Sequence, residues 1–268
     1  MEHFRSPFLE TDLSSAKAFV NRTFFDDMLV RARAHAFYSH PFLTRARTDV
    51  PRDAASAILT SFYKVVAPFT GLLCSLGGRA PDLRCRFALM DNIYEEMGCG
   101  ELEAAHPSLY LKMLASIGVN AEAAERAPLL TSVRRINEHL EEVVLRRSFA
   151  TACAVLASAE AAIPPSFPVL ASMARDAFPL VDMAFFDRHG PRDDGHSDDA
   201  AMLFAMSADS TDFTEIEAEV LRDLDARTEL FDEWMALVAT STAARFGSQR
   251  PRPPSMRPVA RSSAPPPA

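Results

Sequence analysis

The chain has 268 residues, 48% of them hydrophobic and 24% charged, with a formal net charge of −8. That composition excludes a disordered chain. The last 21 residues carry four arginines and no acid, so the body before them stands near −12, a surface that phosphate backbones would repel.

The N-terminus, MEHFRSPFLETD, is too acidic and too polar for a signal peptide. The most apolar windows are interrupted by Lys64 in one case and by Glu160 and Pro164-Pro165 in another, which argues against a membrane span. The four cysteines (Cys74, Cys85, Cys99, Cys153) form no CxxC pair. They read as reduced thiols of a cytoplasmic protein rather than a disulfide frame or zinc site.

Apolar residues recur at helical spacing along most of the body, and strand-like alternation is scarce. The pattern predicts an all-α domain of about seven or eight helices over residues 1–246 and a disordered Pro/Arg-rich tail over 247–268. A first helix is expected over about 15–40. A second opens at Pro51 and stops at Gly77-Gly78. A third, from Asp82 to Met97, ends at Gly98-Cys99-Gly100. Helices over about 105–117 and 121–147 follow, then an apolar one over 148–163 that stops at Pro164-Pro165. One from about 167 leads into FFDRHGPRDDGH, and the last, about 212–245, holds Trp234.

Three of these segments carry candidate chemistry. Glu160 is the only charged residue between Arg147 and Arg175, on a helix apolar on all sides. Such a helix belongs in the core, where a lone carboxylate costs several kcal/mol unless something pairs with it. The stretch NIYEEMGCGELEAAH offers Glu95, Glu96, Glu101, Glu103 and His106. On a continuous helix Glu96 and His106 would stand about 15 Å apart, so only the glycine break lets both face one centre. Glu103 and His106 form a competing Glu-x-x-His pair of the kind ferritin-like bundles use. In FFDRHGPRDDGH, His189, Asp193 and His196 fall at i, i+4 and i+7, one helical face. Gly190, Pro191 and Gly195 make that helix marginal, and metal capture would supply the missing order. Phe185-Phe186 ahead of it predicts inward packing.

Glu96, His106, Glu160, His189, Asp193 and His196 together make three carboxylates and three imidazoles, a donor set suited to two iron or manganese ions.

With those motifs in their order and separation, the chain resembles the haem-oxygenase-like di-metal oxidases and oxygenases, also described as iron-containing redox enzymes. The resemblance spans roughly residues 30–240 and rests on NIYEEMGCGELEAAHP, on ASAE at 157–160 and on the H-x3-D-x2-H of FFDRHGPRDDGH. It implies a single haem-oxygenase-like bundle of about seven helices, usually a homodimer, that binds no haem. It also implies that Glu96, His106, Glu160, His189, Asp193 and His196 ligate two Fe(II) ions, with manganese as the alternative metal, and this choice prefers Glu96 to Glu103. O2 would be co-substrate. The expected reaction is oxygenation or oxidation of a small amino-acid- or amine-derived substrate, by N-oxygenation or oxidative C–C or C–N cleavage, in natural-product biosynthesis. Neither nucleic acid nor membrane is an expected partner.

Two departures narrow the reading. Some N-oxygenating members carry an extra carboxylate on the helix before the first ligand; here that helix has no Glu, and Tyr63, Thr70 and Cys74 are expected to face the site. Members that consume their own lysine need one near the metal, whereas this chain has only Lys17, Lys64 and Lys112. Three rivals remain at this point. One is a metal-free thiaminase-like hydrolase or cofactorless oxidase using Cys153, which shares a helical face with Glu160. Another is a ferritin-like oxidase using Glu103 with His106 and Asp193 with His196. The third is a fatty-acid oxidative decarboxylase. A non-enzymatic helical partner protein stands outside this set.

Overall fold

Ser15, Asp82, Asn120 and Ser148 each hold extended backbone and accept a hydrogen bond from an amide three residues on, which starts a helix at each place. The computed structural model describes residues 15–45, 50–189, 193–209 and 212–248, with the side chains of Arg45, His189, 193–196 and 245–248 outside that description. Residues 249–268, the expected tail, also lie outside it.

Among the described residues there are twelve α-helices and no strand. They are α1 (Ala16–Ala32), α2 (Pro41–Arg45), α3 (Arg52–Arg79), α4 (Leu83–Glu96), α5 (His106–Ser116), α6 (Ala121–Arg126), α7 (Thr131–Arg146), α8 (Phe149–Ala161), α9 (Ile163–Ala177), α10 (Ala184–His189), α11 (Asp193–Ser207) and α12 (Phe213–Ser248).

The count exceeds the expected seven because predicted helices divide at identifiable residues. Pro128 forces Ala127 into extended backbone (φ −55°, ψ 142°) and splits 121–147 into α6 and α7. The first expected helix breaks at His35. His35 and His40 each accept an amide hydrogen bond through Nδ1, from Phe37 and Phe42, and each places Nε2 3.1 Å from an aspartate of α12, Asp225 or Asp232. These two histidines are structural ties. Two other boundaries move outward. Gly77-Gly78 does not stop α3, which runs to Arg79. Pro164-Pro165 opens α9 instead of preceding it, because the first helical turn needs no intrahelical N–H. α8 and α9 meet at a 41° bend.

α8 lies at the centre, with every residue from Ala150 to Glu160 buried. Its small side chains let α11 pack closely along it, while α7 and α12 cover other sides. Trp234 of α12 is fully buried and donates through Nε1 to Ser61 Oγ of α3 at 2.9 Å. Asn21 of α1 donates to the carbonyls of Ala205 and Ala208 at 2.8 Å each, tying α1 to the end of α11. α3 is long and apolar enough by composition to cross a bilayer; here it packs against α4, α5, α7 and α12, and Lys64 near its middle pairs with Glu125 at 3.0 Å.

Candidate metal centre

α4 ends at Glu96, and the chain then reverses within ten residues. Cys99 takes left-handed backbone (φ 57°, ψ 35°), and Gly98 and Gly100 have φ of 74° and 93°. Gly98 is required for a second reason: a Cβ there would stand 2.5 Å from the backbone of Ala104 and Ala105. This close approach folds the 98–105 segment flat, so that His106, the first residue of α5, faces back toward α4. His106 Nδ1 and Glu96 Oε2 are 2.8 Å apart, and both side chains are buried. The glycine break thus brings together two residues that a continuous helix would have held far apart.

Glu160, on α8, lines the same cavity as Glu96 and His106. The cavity measures about 90 Å³, room for roughly three waters. Its walls are otherwise mainly apolar, with Phe62, Phe167, Phe185 and Trp234 prominent. Phe185 and Phe186 are buried as expected, and Phe185 meets Tyr110 edge to face at 4.7 Å. Glu160 also borders a void of about 10 Å³ beside Cys153 and Asp199. On a further side it borders a cleft of about 630 Å³ lined by Arg22, Arg33, Tyr38 and Pro164.

Two carboxylates and an imidazole in an apolar cavity fit a hard or borderline cation. The carboxylate of Glu96 also sits at a helix C-terminus, the negative end of the macrodipole, where it is disfavoured by about 0.3–1 kcal/mol without a cation. Among the described residues, no group of three or more His, Cys, Asp and Glu stands close enough to hold a metal by itself. The other three expected donors, His189, Asp193 and His196, have side chains outside the described residues. α10 reaches His189 and α11 opens at Asp193, and residues 190–192 between them lie outside the described residues. Both helices still touch the cavity-bearing elements. Arg188, beside His189, points a guanidinium nitrogen at Cys99 Sγ (3.8 Å), and Ser197, beside His196, donates to Ala157 O at 3.0 Å.

Several expectations are corrected. Tyr63 and Thr70 do not line the cavity; α3 presents Phe62, Val65, Val66 and Phe69 to it. Tyr63 turns the other way and donates its hydroxyl to Glu125 at 2.9 Å. Burial, reinforced by that carboxylate, pushes its phenol up to about 12. Cys74 is exposed. Cys153 is buried beside the smaller void instead of in the main cavity, and burial, aided by Cys85, pushes its thiol well up, which disfavours the thiolate a nucleophile needs. Glu103 faces solvent and pairs with Lys112 at 2.9 Å, which removes the ferritin-like alternative through Glu103 and His106. Arg227 of α12 also lines the cavity, a residue that the sequence motifs do not single out. The readable signal was Asp223 and Arg227 at i, i+4 on the face that also carries Val220, Leu230 and Trp234.

A family model described as iron-containing redox enzyme matches residues 56–243. The chain belongs to that family. No curated protein matches this member of the iron-containing redox enzymes, but solved structures share its fold. A CADD-like protein of unknown function from Nostoc punctiforme superposes with a TM-score of 0.65 at 14% identity, over 84% of this chain and 97% of that one. A TenA homologue from Pseudomonas syringae pv. tomato gives 0.60 at 15% identity, over 82% and 93%. A domain of unknown function with a haem-oxygenase-like fold, from Shewanella denitrificans, gives 0.61 at 17% identity, over 86% and 94%. The bundle of this iron-containing redox enzyme is therefore haem-oxygenase-like.

Proposed function

We propose that the protein is an O2-activating non-haem di-iron oxidase or oxygenase acting on a small amino-acid- or amine-derived substrate. One observation carries the reading: Glu96, His106 and Glu160, from α4, α5 and α8, converge on one buried apolar cavity. The helices that bear His189, Asp193 and His196 touch the same turn and helix. These six residues would hold the metal; manganese would suit the same donors. When bound, two ferrous ions supply the electrons that reduce O2.

The chain's own contribution is positioning and exclusion. Phe62, Phe167, Phe185 and Trp234 keep bulk water from the donors, which strengthens every electrostatic contact inside. Glu96 Oε2 and His106 Nδ1, 2.8 Å apart and both buried, present neighbouring donors to one wall of the cavity. The 630 Å³ cleft reaches Glu160 from outside and gives a substrate a route inward. A homodimer belongs to the same proposal, and mass in solution by sedimentation tests it.

The decisive experiment loads the protein anaerobically with Fe(II), counts iron, and mixes it rapidly with O2. The expected result is two irons per chain and a transient visible absorption, lost in Glu160→Ala and His106→Ala. One tightly held zinc and no response to O2 would overturn the reading.

A further inference from the structure

We infer that Arg227, held in place by Asp223, is the anchor for a carboxylate on the substrate, which makes the substrate a short amino acid or related carboxylic acid. The inference deepens the proposed function and rests on it for the identity of the reacting end.

Among the described residues that line the cavity, Arg227 and His106 are the only potentially cationic side chains. Arg227 Nε donates to Asp223 Oδ2 at 2.6 Å, with Asp223 fully buried and the arginine side chain 14% exposed. That contact uses one edge of the guanidinium. Its two Nη groups donate to no described residue, and Arg227 forms no ion pair with Glu96 or Glu160. The fork that would grip a carboxylate with two parallel hydrogen bonds is therefore unspent.

A structural role explains the pair poorly. Asp223 Oδ1 is buried with no hydrogen-bond partner, and an incompletely satisfied buried ion pair is generally no more stabilising than an apolar pair of similar volume. As a device for presenting a guanidinium to a cavity, the pair makes sense: Asp223 fixes the side chain and α12 sets its height. Arg227 also lies close enough to Tyr38, on the cleft, to oppose the upward push that burial gives the Tyr38 phenol. It thus stands where cleft and cavity approach each other. Phe37, Leu230 and Phe231 line the cavity as well, a setting for an apolar body attached to the carboxylate. The small volume limits that body to a few carbons.

The test compares propionate with propionamide, equal in shape and differing in charge, by calorimetric titration of the anaerobic Fe(II)-loaded protein. Wild type should bind the carboxylate at least about tenfold more tightly. Arg227→Lys, which keeps the counter-charge for Asp223 and so the fold, should lose most of that preference, and the Arg227→Met/Asp223→Asn double variant all of it, with iron content unchanged. Equal affinity for the two ligands in wild type would overturn the inference, as would a preference that survives in both variants, since another group would then read the charge. Iron counted in the same samples reports separately on the di-iron reading. Should iron fail to load, the titration on the protein as purified still decides the role of Arg227.

Discussion

Glu160 concentrates the case for a metal in one side chain. A carboxylate on a helix buried over eleven consecutive residues costs more to desolvate than an apolar side chain of its size. Glu160→Gln is expected to leave the melting temperature of chelator-treated protein unchanged or higher, while iron retained after desalting falls at least about tenfold; calorimetry and iron analysis on one preparation check both halves. Tyr63 makes a different prediction. Its phenol is pushed up to about 12 by burial and by Glu125, whereas an unfolded tyrosine ionises near 10. Between about pH 10 and 12 the native state therefore holds more protons than the unfolded state, so stability falls as pH rises through that window and is unaffected below it. Tyr63→Phe should flatten this alkaline loss and cost about 1 kcal/mol at neutral pH through the missing hydrogen bond. Urea unfolding at pH 8, 10 and 11 measures both.

At the scale of elements, the turn between α4 and α5 is the most constrained piece of backbone described. Gly98→Ala meets both a left-handed φ and a backbone contact of 2.5 Å, which together should cost about 2–4 kcal/mol and displace His106, lowering iron content. Gly78→Ala, in α3 with nothing within 4 Å of the new methyl, should stabilise by about 0.5–1 kcal/mol. Unfolding curves of the two variants should move in opposite directions. This turn also marks how far the sequence was legible. Glycines at 98 and 100 between two carboxylate- and histidine-bearing segments announced a reversal, and the reversal is there. Helix existence was readable from apolar period, because burial on one face imposes that period. Helix ends were less so: Pro128 splits a helix while Pro164-Pro165 opens one, and the difference lies in where each falls relative to the first turn. α3 meets the cavity through the face of Phe62 and not that of Tyr63, because these neighbours point apart. Arg227 is not legible as a cavity residue because a charged i, i+4 pair usually marks solvent, and only packing reveals that this one faces inward.

For the molecule as a whole, the proposed donors come from segments some hundred residues apart in sequence, so a metal bound by them would act as a cross-link between α4, α5, α8 and the α10–α11 region. Ligand at 100 times its dissociation constant adds about 2.7 kcal/mol to the unfolding free energy, or about 5–10 °C in melting temperature for a chain of this size. Loading with Fe(II) should produce that rise, and hydrogen exchange should slow most in the first turns of α11. A rise spread evenly over all helices, or no rise, would speak against ligands from that helix.

The alanines of α8 carry a consequence of their own. Ala150, Ala152, Ala154, Ala157 and Ala159 are all buried, and at Ala157 the carbonyl receives the Ser197 hydroxyl of α11 directly. Metal–ligand bonds tolerate errors of about 0.2 Å, less than the width of any atom that could be added to such a surface. The girth of α8 therefore works as a gauge block. It sets the gap across which α11 faces Glu160, and a larger residue at Ala157 would detune the proposed centre without belonging to its donor set.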